Sequence, residues 1–158
     1  IIINAILSWL VAFNVLNTQN RFVFAILDAT HNAEGCLCLD EHFQGLTEKP
    51  VVLAGTLGED RANDLMEVVA RYAREIRLLV PNQPRACSYE SLEKAIPEGF
   101  SGKVTRSTVA SEFPPSASAE TDDVPFVVTG SIYLLGEVLA RIEGNNGQSP
   151  LAPLQDWV

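Results

Sequence analysis

Short apolar runs alternate along the chain with stretches whose apolar residues recur every three or four positions. The runs are F-V-F-A-I-L at 22–27, P-V-V-L-A-G-T-L at 50–57, I-R-L-L-V at 76–80 and F-V-V-T at 126–129. Runs of this kind read as strands covered on both faces. Residues 103–107 make a shorter, more polar strand. The helical spacing joins Cys36, Leu39, Phe43 and Leu46 over 33–46, and Leu65, Val69 and Tyr72 over 60–73. It recurs in Tyr89, Leu92 and Ile96 after Ser88, and in Ile132, Leu135, Leu139 and Ile142 over 132–142. Asn32 and Ser88 are placed to cap two of these helices, and Glu34 suits a first turn. Gly45 and Gly144 are placed to end the first and last. A strand followed each time by a helix predicts an α/β fold: a Rossmann-like, mostly parallel sheet flanked by helices on both faces. The expected strand core is Val23, Ile26, Val52, Leu53, Leu78, Leu79, Val127 and Val128.

Two stretches break the alternation. Pro114-Pro115 and the Ser/Ala/Glu/Asp run after it interrupt the crossover at 110–123, which predicts a shortened helix and a mobile loop. Residues 1–16 are apolar and fit helix or strand. The polar cluster Asn17-Thr18-Gln19-Asn20 suits a turn, so 13–16 and 22–27 are expected to pair as a hairpin with an antiparallel strand at the sheet edge. The expected organisation is an apolar segment at 1–16, one α/β domain at 17–144 and a loose tail at 145–158. The 1–16 segment is too short to span a membrane and has no basic leader or small-residue cleavage site. The first residue is not Met, which points to a fragment or a processed product.

Composition narrows the partners. At 158 residues with 47% hydrophobic side chains, the chain can build one real core. A net charge of −9 argues against non-specific nucleic-acid binding. Three cysteines, Cys36, Cys38 and Cys87, suit reduced thiols in a cytoplasmic protein. Cys36 and Cys38 lie near His31 and His42, but a C-x-C on a helix sends its thiols apart, so no metal site is expected.

Candidate chemistry gathers where strands end. Asp28 closes the 22–27 run, and His31 and Asn32 follow just before a helix. A parallel sheet builds ligand sites at the carboxyl ends of its strands, and a helix start there attracts anions. Asp28 serves equally as a ribose acceptor or as a turn former, His31 as a ligand contact or a polar cap, and Asn32 as the helix cap. Late in the chain Gly130 allows close backbone approach, and Ser131 offers a hydroxyl at a helix start or an ordinary cap. Tyr133 fits either a site or the core. Arg85 reads as a solvated loop residue, with an anion contact the lesser alternative. No G-x-x-x-x-G-K-[ST] occurs in the sequence, so a phosphate-cradling loop is missing from it.

The string L-D-A-T-H-N at 27–32 resembles the L-D-G-A-H-N signature that opens the C-terminal domain of folylpolyglutamate synthase/dihydrofolate synthase, in the Mur ligase superfamily. V-V-T-G-S-I-Y-L-L-G-E-V at 127–138 resembles that family's G-S-x-Y motif. Upstream, Trp9, Phe13, Val15 and Leu16 match the frame of the family's W-P-G-R-F-E-V-L, with Leu10-Val11-Ala12 in place of P-G-R. The hinge arginine that contacts ATP is therefore absent, and Ala33 replaces the usual proline after Asn32. The resemblance implies ATP-dependent ligation of glutamate to folate or dihydropteroate through an acyl phosphate. It implies nucleotide contacts from Asp28, His31 and Asn32, with His31 also catalytic, and glutamate contacts from Gly130, Ser131 and Tyr133. ATP and Mg²⁺ would be the cofactors, the metal ligands lying in an N-terminal ATPase domain that acts as partner. No nucleic-acid or membrane partner is implied, and the isolated chain is expected to be inactive. The alternatives are a noncatalytic Rossmann-like binding module and the C-domain of a peptidoglycan Mur ligase, against which G-S-x-Y-L argues.

Overall fold

The computed structural model describes residues 25–28, 33–114 and 126–145, with side chains at 35–114 and 127–141. In chain order the elements are β1 (Ala25–Asp28), α1 (Ala33–Gln44), β2 (Val51–Gly55), α2 (Glu59–Tyr72) and β3 (Glu75–Leu78). They continue with α3 (Tyr89–Ala95), β4 (Lys103–Arg106), α4 (Val109–Glu112), β5 (Phe126–Gly130) and α5 (Ile132–Asn145). The strands form one sheet in the order β1-β5-β2-β3-β4, and every pairing is parallel. The expected Rossmann-like α/β fold is the fold observed. The expected antiparallel edge strand falls in 1–16, outside the described residues. Among those described, both edge strands, β1 and β4, run parallel to their neighbours.

Each face of the sheet has its own core. Val52, Ala54, Ile76 and Val127 point to one side, where Leu39 and Phe43 of α1, Leu65, Met66 and Val69 of α2 and Leu92 of α3 cover them. Val51, Leu53, Leu79 and Val128 point to the other, under Phe113 and under Leu134 and Val138 of α5. The chain steps from β1 through β4 with its helices on the first face, then returns to β5 with its helices on the second. Crossovers of one hand require that change of face when the direction reverses. β2 is buried at all five positions, as its uninterrupted apolar run predicts. The side chains of Val52, Leu53, Leu78, Leu79, Val127 and Val128 are all core; Val23 and the side chain of Ile26 lie outside the described residues.

The helix before the double proline is short, as foreseen, and the expected mobile loop falls at 115–125, outside the described residues. α4 is only four residues long, with Thr108 and Ser111 forming a capping box at its start. So short a helix cannot cover β3 and β4, and the sheet there is finished with charge. Arg77 Nε donates to Glu75 Oε1 at 3.0 Å, and its Nη1 donates to Glu112 Oε2 at 2.7 Å. Ser107 Oγ donates to the other oxygen of Glu112. Lys103 Nζ lies 3.6 Å from Glu75 Oε1. Burial alone would raise the Glu75 pKa, but the hydrogen bonds and charge of Arg77, with help from Lys103, outweigh it and hold the pKa below its ordinary value.

The last helix corrects one expectation. Its buried positions are Leu134 and Val138, with Leu135 packed partly against them, whereas Ile132 is 48% exposed. Ile132 occupies the first turn, which overhangs the carboxyl edge of the sheet, so the core-facing stripe starts two residues later. α5 also runs to Asn145, past Gly144.

Candidate functional site

Register defines the site. Asp28, Thr129, Ala54, Leu78 and Arg106 stand in one row across the sheet at the carboxyl ends of the five strands. The helices that follow β1 and β2 lie on one face, whereas the helix that follows β5, between them, lies on the other. The switch point of this open α/β sheet is therefore at β5, and crevices at such points are where these folds take ligands. Asp28 lies on one side of that point, and Gly130 and Ser131 follow from its centre. The two signature segments, far apart in sequence, open on the same edge of the sheet.

The structure assigns local roles to most of these residues. Gly130 has φ +122°, and a Cβ there would stand 2.3 Å from the Gly55 carbonyl oxygen. A Cβ on Gly55 would stand 2.1 Å from the Leu79 carbonyl oxygen. The two glycines let β5, β2 and the end of β3 close on one another, so the space a side chain would need at Gly130 is filled by protein backbone. Ser131 is buried, and its Oγ accepts the Tyr133 backbone N–H at 3.2 Å, which is an N-cap bond for α5. A hydroxyl that accepts in this way still has its own proton to donate. Tyr133 is 44% exposed beside Ile132, on the surface rather than in the core. Asp28 is placed by its backbone, while His31 and Asn32 lie outside the described residues.

The other end of the same edge is closed. The loop after β3 folds back over β2: the Gly58 N–H donates to the Arg85 carbonyl at 3.2 Å, and the Cys87 N–H to the Thr56 carbonyl at 3.0 Å. The Asn82 N–H donates to Glu137 Oε1 of α5 at 2.6 Å, tying that loop to the last helix. Arg85 contributes its backbone to this corner while its side chain is exposed. Arg106, the cation in the carboxyl-end row, is already paired. Its Nε and Nη2 both donate to Glu93 at 2.8 Å, Nη1 lies 2.9 Å from Glu90, and the guanidinium stacks on Tyr89. The Glu93 hydrogen bonds push the Arg106 pKa up and the Glu93 pKa down. Burial raises the pKa of the Cys87 thiol, and the nearby Glu59 carboxylate raises it further.

Two residues at this edge escaped the sequence reading. Glu137 carries no local signal of its contact, and only the fold brings it to Asn82. Thr129 is fully buried, and its Oγ1 has no hydrogen-bond partner. The available signal was a hydroxyl at the end of an otherwise apolar strand.

Among the described residues, no three His, Cys, Asp or Glu side chains gather to hold a metal ion. On α1, Cys36 is buried and Cys38 exposed, the divergence expected of a helical C-x-C. For a nucleotide the fit is better. A switch point at the carboxyl edge, a fourteen-residue helix starting there and a hydroxyl at its cap suit an anionic ligand. No helix among the described residues is long and apolar enough to cross a membrane.

A parallel α/β domain with its switch point beside a capped helix start is thus the class the geometry defines. Within that class the chain resembles the folylpolyglutamate synthases in fold. E. coli FolC in complex with ADP, without folate substrate, matches with a TM-score of 0.60 over 78% of this chain and 29% of its own, at 19% identity. Helicobacter pylori folylpolyglutamate synthetase matches with a TM-score of 0.60 over 90% and 38%, at 14% identity. The bifunctional folylpolyglutamate synthase/dihydrofolate synthase of Yersinia pestis, complexed with AMPPNP and Mn ion, matches with a TM-score of 0.56 over 78% and 28%, at 17% identity. At these identities the likeness is one of fold. The chain spans between 28% and 38% of the length of these enzymes. No protein-family model and no curated protein matches it.

Proposed function

We propose that this chain is the C-terminal domain of an ATP-dependent ligase that adds glutamate to folate or dihydropteroate. The observation that carries the reading is the placement of Asp28 and Gly130-Ser131 on one carboxyl edge, at the switch point of a fold shared with folylpolyglutamate synthases. ATP would activate the pterin substrate's carboxylate as an acyl phosphate, which the glutamate amine then attacks. This chain's part is to bind and orient. Asp28 accepts hydrogen bonds from the nucleotide, with His31 and Asn32 following it in the same signature. The Ser131 hydroxyl donates its remaining proton to the glutamate carboxylate, at a helix start whose dipole favours that charge. Holding two reactants in line is where such a ligase gains most of its rate. The phosphate-cradling loop and the Mg²⁺ ligands come from an N-terminal ATPase domain, which closes on this edge. The thiol cysteines suit a cytoplasmic setting.

The test is ligation in a two-domain enzyme. Losing one hydrogen bond to a charged group changes affinity by about ten- to a hundredfold. Ser131→Ala is expected to raise the glutamate KM by that factor with little change for ATP, and Asp28→Ala to weaken ATP with little change for glutamate. If both substitutions leave both KM values within twofold, the assignment falls. A noncatalytic binding module is the second reading. Leu10-Val11-Ala12 favours it, because this segment lacks the arginine that the resemblance places at the hinge.

A further inference from the structure

The loop after β3 spends nearly all of its backbone donors inside the protein. Pro81 and Pro84 have no N–H. Asn82 donates to Glu137 Oε1 at 2.6 Å, and Gln83, Ala86 and Cys87 donate to the carbonyls of Pro81, Gln83 and Thr56 at 2.7, 3.0 and 3.0 Å. Ala86 also bridges Leu57 in antiparallel fashion. Between 81 and 87 that leaves Arg85, whose N–H has no acceptor among the described residues. Its guanidinium is exposed and makes no ion pair or hydrogen bond among them either. Its carbonyl, by contrast, accepts the Gly58 N–H at 3.2 Å, so the residue is held in place while its donors stay free. The other cations near this edge have carboxylates beside them. Arg106 is bound to Glu93 and Glu90, and Arg61 follows Glu59 and Asp60 in the first turn of α2. In a chain of net charge −9, an unpaired cation is where an incoming anion meets attraction. The loop crosses the carboxyl end of β2, from α5 at Asn82 to the start of α2 at Arg85. Because β2 pairs with β5, Arg85 and Ser131 flank the end of one strand.

We propose that this loop is a preformed anion-binding wall of the carboxyl-edge site, with Arg85 as the contact residue and Glu137 as the positioning residue that holds the loop against α5. The group it takes is a phosphate or a carboxylate. A guanidinium grips either with two parallel hydrogen bonds, and a free backbone N–H beside it adds a third donor. A contact already held in place costs less to order on binding, which is what the Glu137 and Gly58 bonds provide. That the anion belongs to a nucleotide or to glutamate rests on the function proposed above.

The experiment titrates the 158-residue chain with pyrophosphate, ADP and glutamate in turn, following the Arg85 amide and Nε–H by NMR. At least one of these anions is expected to shift both signals saturably. Arg85→Gln removes an exposed side chain and leaves the backbone bonds in place. It should weaken that anion by about ten- to a hundredfold, the worth of a hydrogen bond to a charged group. Arg85→Lys keeps the charge without the fork and should recover part of the loss. Glu137→Ala should speed exchange of the Asn82 amide by about tenfold and weaken the same anion with Arg85 intact. The proposal is overturned if no anion shifts Arg85, if folded Arg85→Gln binds within twofold of wild type, or if folded Glu137→Ala leaves Asn82 exchange and anion affinity unchanged. The three anions also separate this proposal from the ligase reading. ADP or glutamate binding that ignores Arg85 keeps that reading and rejects the wall. Pyrophosphate binding that depends on Arg85, with neither ADP nor glutamate bound, keeps the wall and rejects its part in the ligase.

Discussion

Gly130 and Ser131 each carry a structural duty that must be removed before any functional effect is read. For Gly130 the duty is spatial. A side chain there would meet the Gly55 carbonyl at 2.3 Å in a backbone conformation that L-residues avoid. Gly130→Ala is expected to cost at least about 1–3 kcal/mol from the backbone alone, seen as a lower urea midpoint, and the ligand site will suffer only as a consequence. For Ser131 the duty is the cap, and Ser131→Ala should cost about 1 kcal/mol of stability. Ser131→Thr keeps the hydroxyl and should keep most of the cap. A glutamate KM that rises in Ser131→Ala at full folding and recovers in Ser131→Thr therefore belongs to the ligand contact. Asp28, Gly130 and Ser131 were visible in the sequence because turn chemistry at strand ends is local. Thr129 and Glu137 were not, because the burial of one depends on the helices packed over the sheet and the contact of the other needs the β3–α3 loop folded onto α5.

Elements were legible where a run met its own punctuation. β2 and the apolar face of α1 follow directly from run length and spacing. Leu39, Phe43, Leu65 and Val69 are all buried, as their three- and four-residue spacing requires. The spacing misled at Ile132, because it cannot tell a first turn that overhangs the sheet edge from the turns that lie on the sheet. Nor could it supply the ion-pair group on β3 and β4, whose members Glu75, Arg77, Lys103 and Glu112 are spread over the chain. That group sets a pH dependence. The folded-state pKa of Glu75 lies below its ordinary 4.5, held there chiefly by Arg77 against the opposing effect of burial. A depressed carboxylate stabilises the fold fully above its unfolded value and loses that contribution as pH falls through the folded value. Stability should therefore be level from neutral pH down to about 4.5 as far as this residue is concerned, then fall. In Arg77→Met the acid fall attributable to Glu75 should flatten while stability at neutral pH drops, since two part-buried carboxylates lose their shared partner. Chemical denaturation at pH 7 and pH 3.5 measures both limbs.

At the scale of the molecule, the sheet makes the site, so breaking the sheet should abolish everything together. Val127 lies in the middle of β5, flanked in register by Ile26 and Val52, and is fully buried. Val127→Asp places an unpaired charge in the core between the sheet and the helices that cover it, and should prevent folding outright; a soluble variant with a cooperative melt would contradict the sheet assignment. Activity follows a different logic. In the function proposed, the chain supplies one edge of a cleft; it has none of the phosphate-cradling sequence, and it spans 28% to 38% of the solved enzymes it resembles. Positioning groups without the activating half provide nothing to phosphorylate a carboxylate. The purified chain should therefore show no glutamate-dependent phosphate release above a heat-treated control. Adding the N-terminal ATPase domain as a separate polypeptide should bring it back in part, at a rate that rises with concentration because the two halves must first meet. Activity from the chain alone would mean that the edge at Asp28 and Ser131 carries the phosphoryl chemistry itself. No rescue by the added domain, with both halves folded, would favour the noncatalytic reading that the Leu10-Val11-Ala12 segment invites.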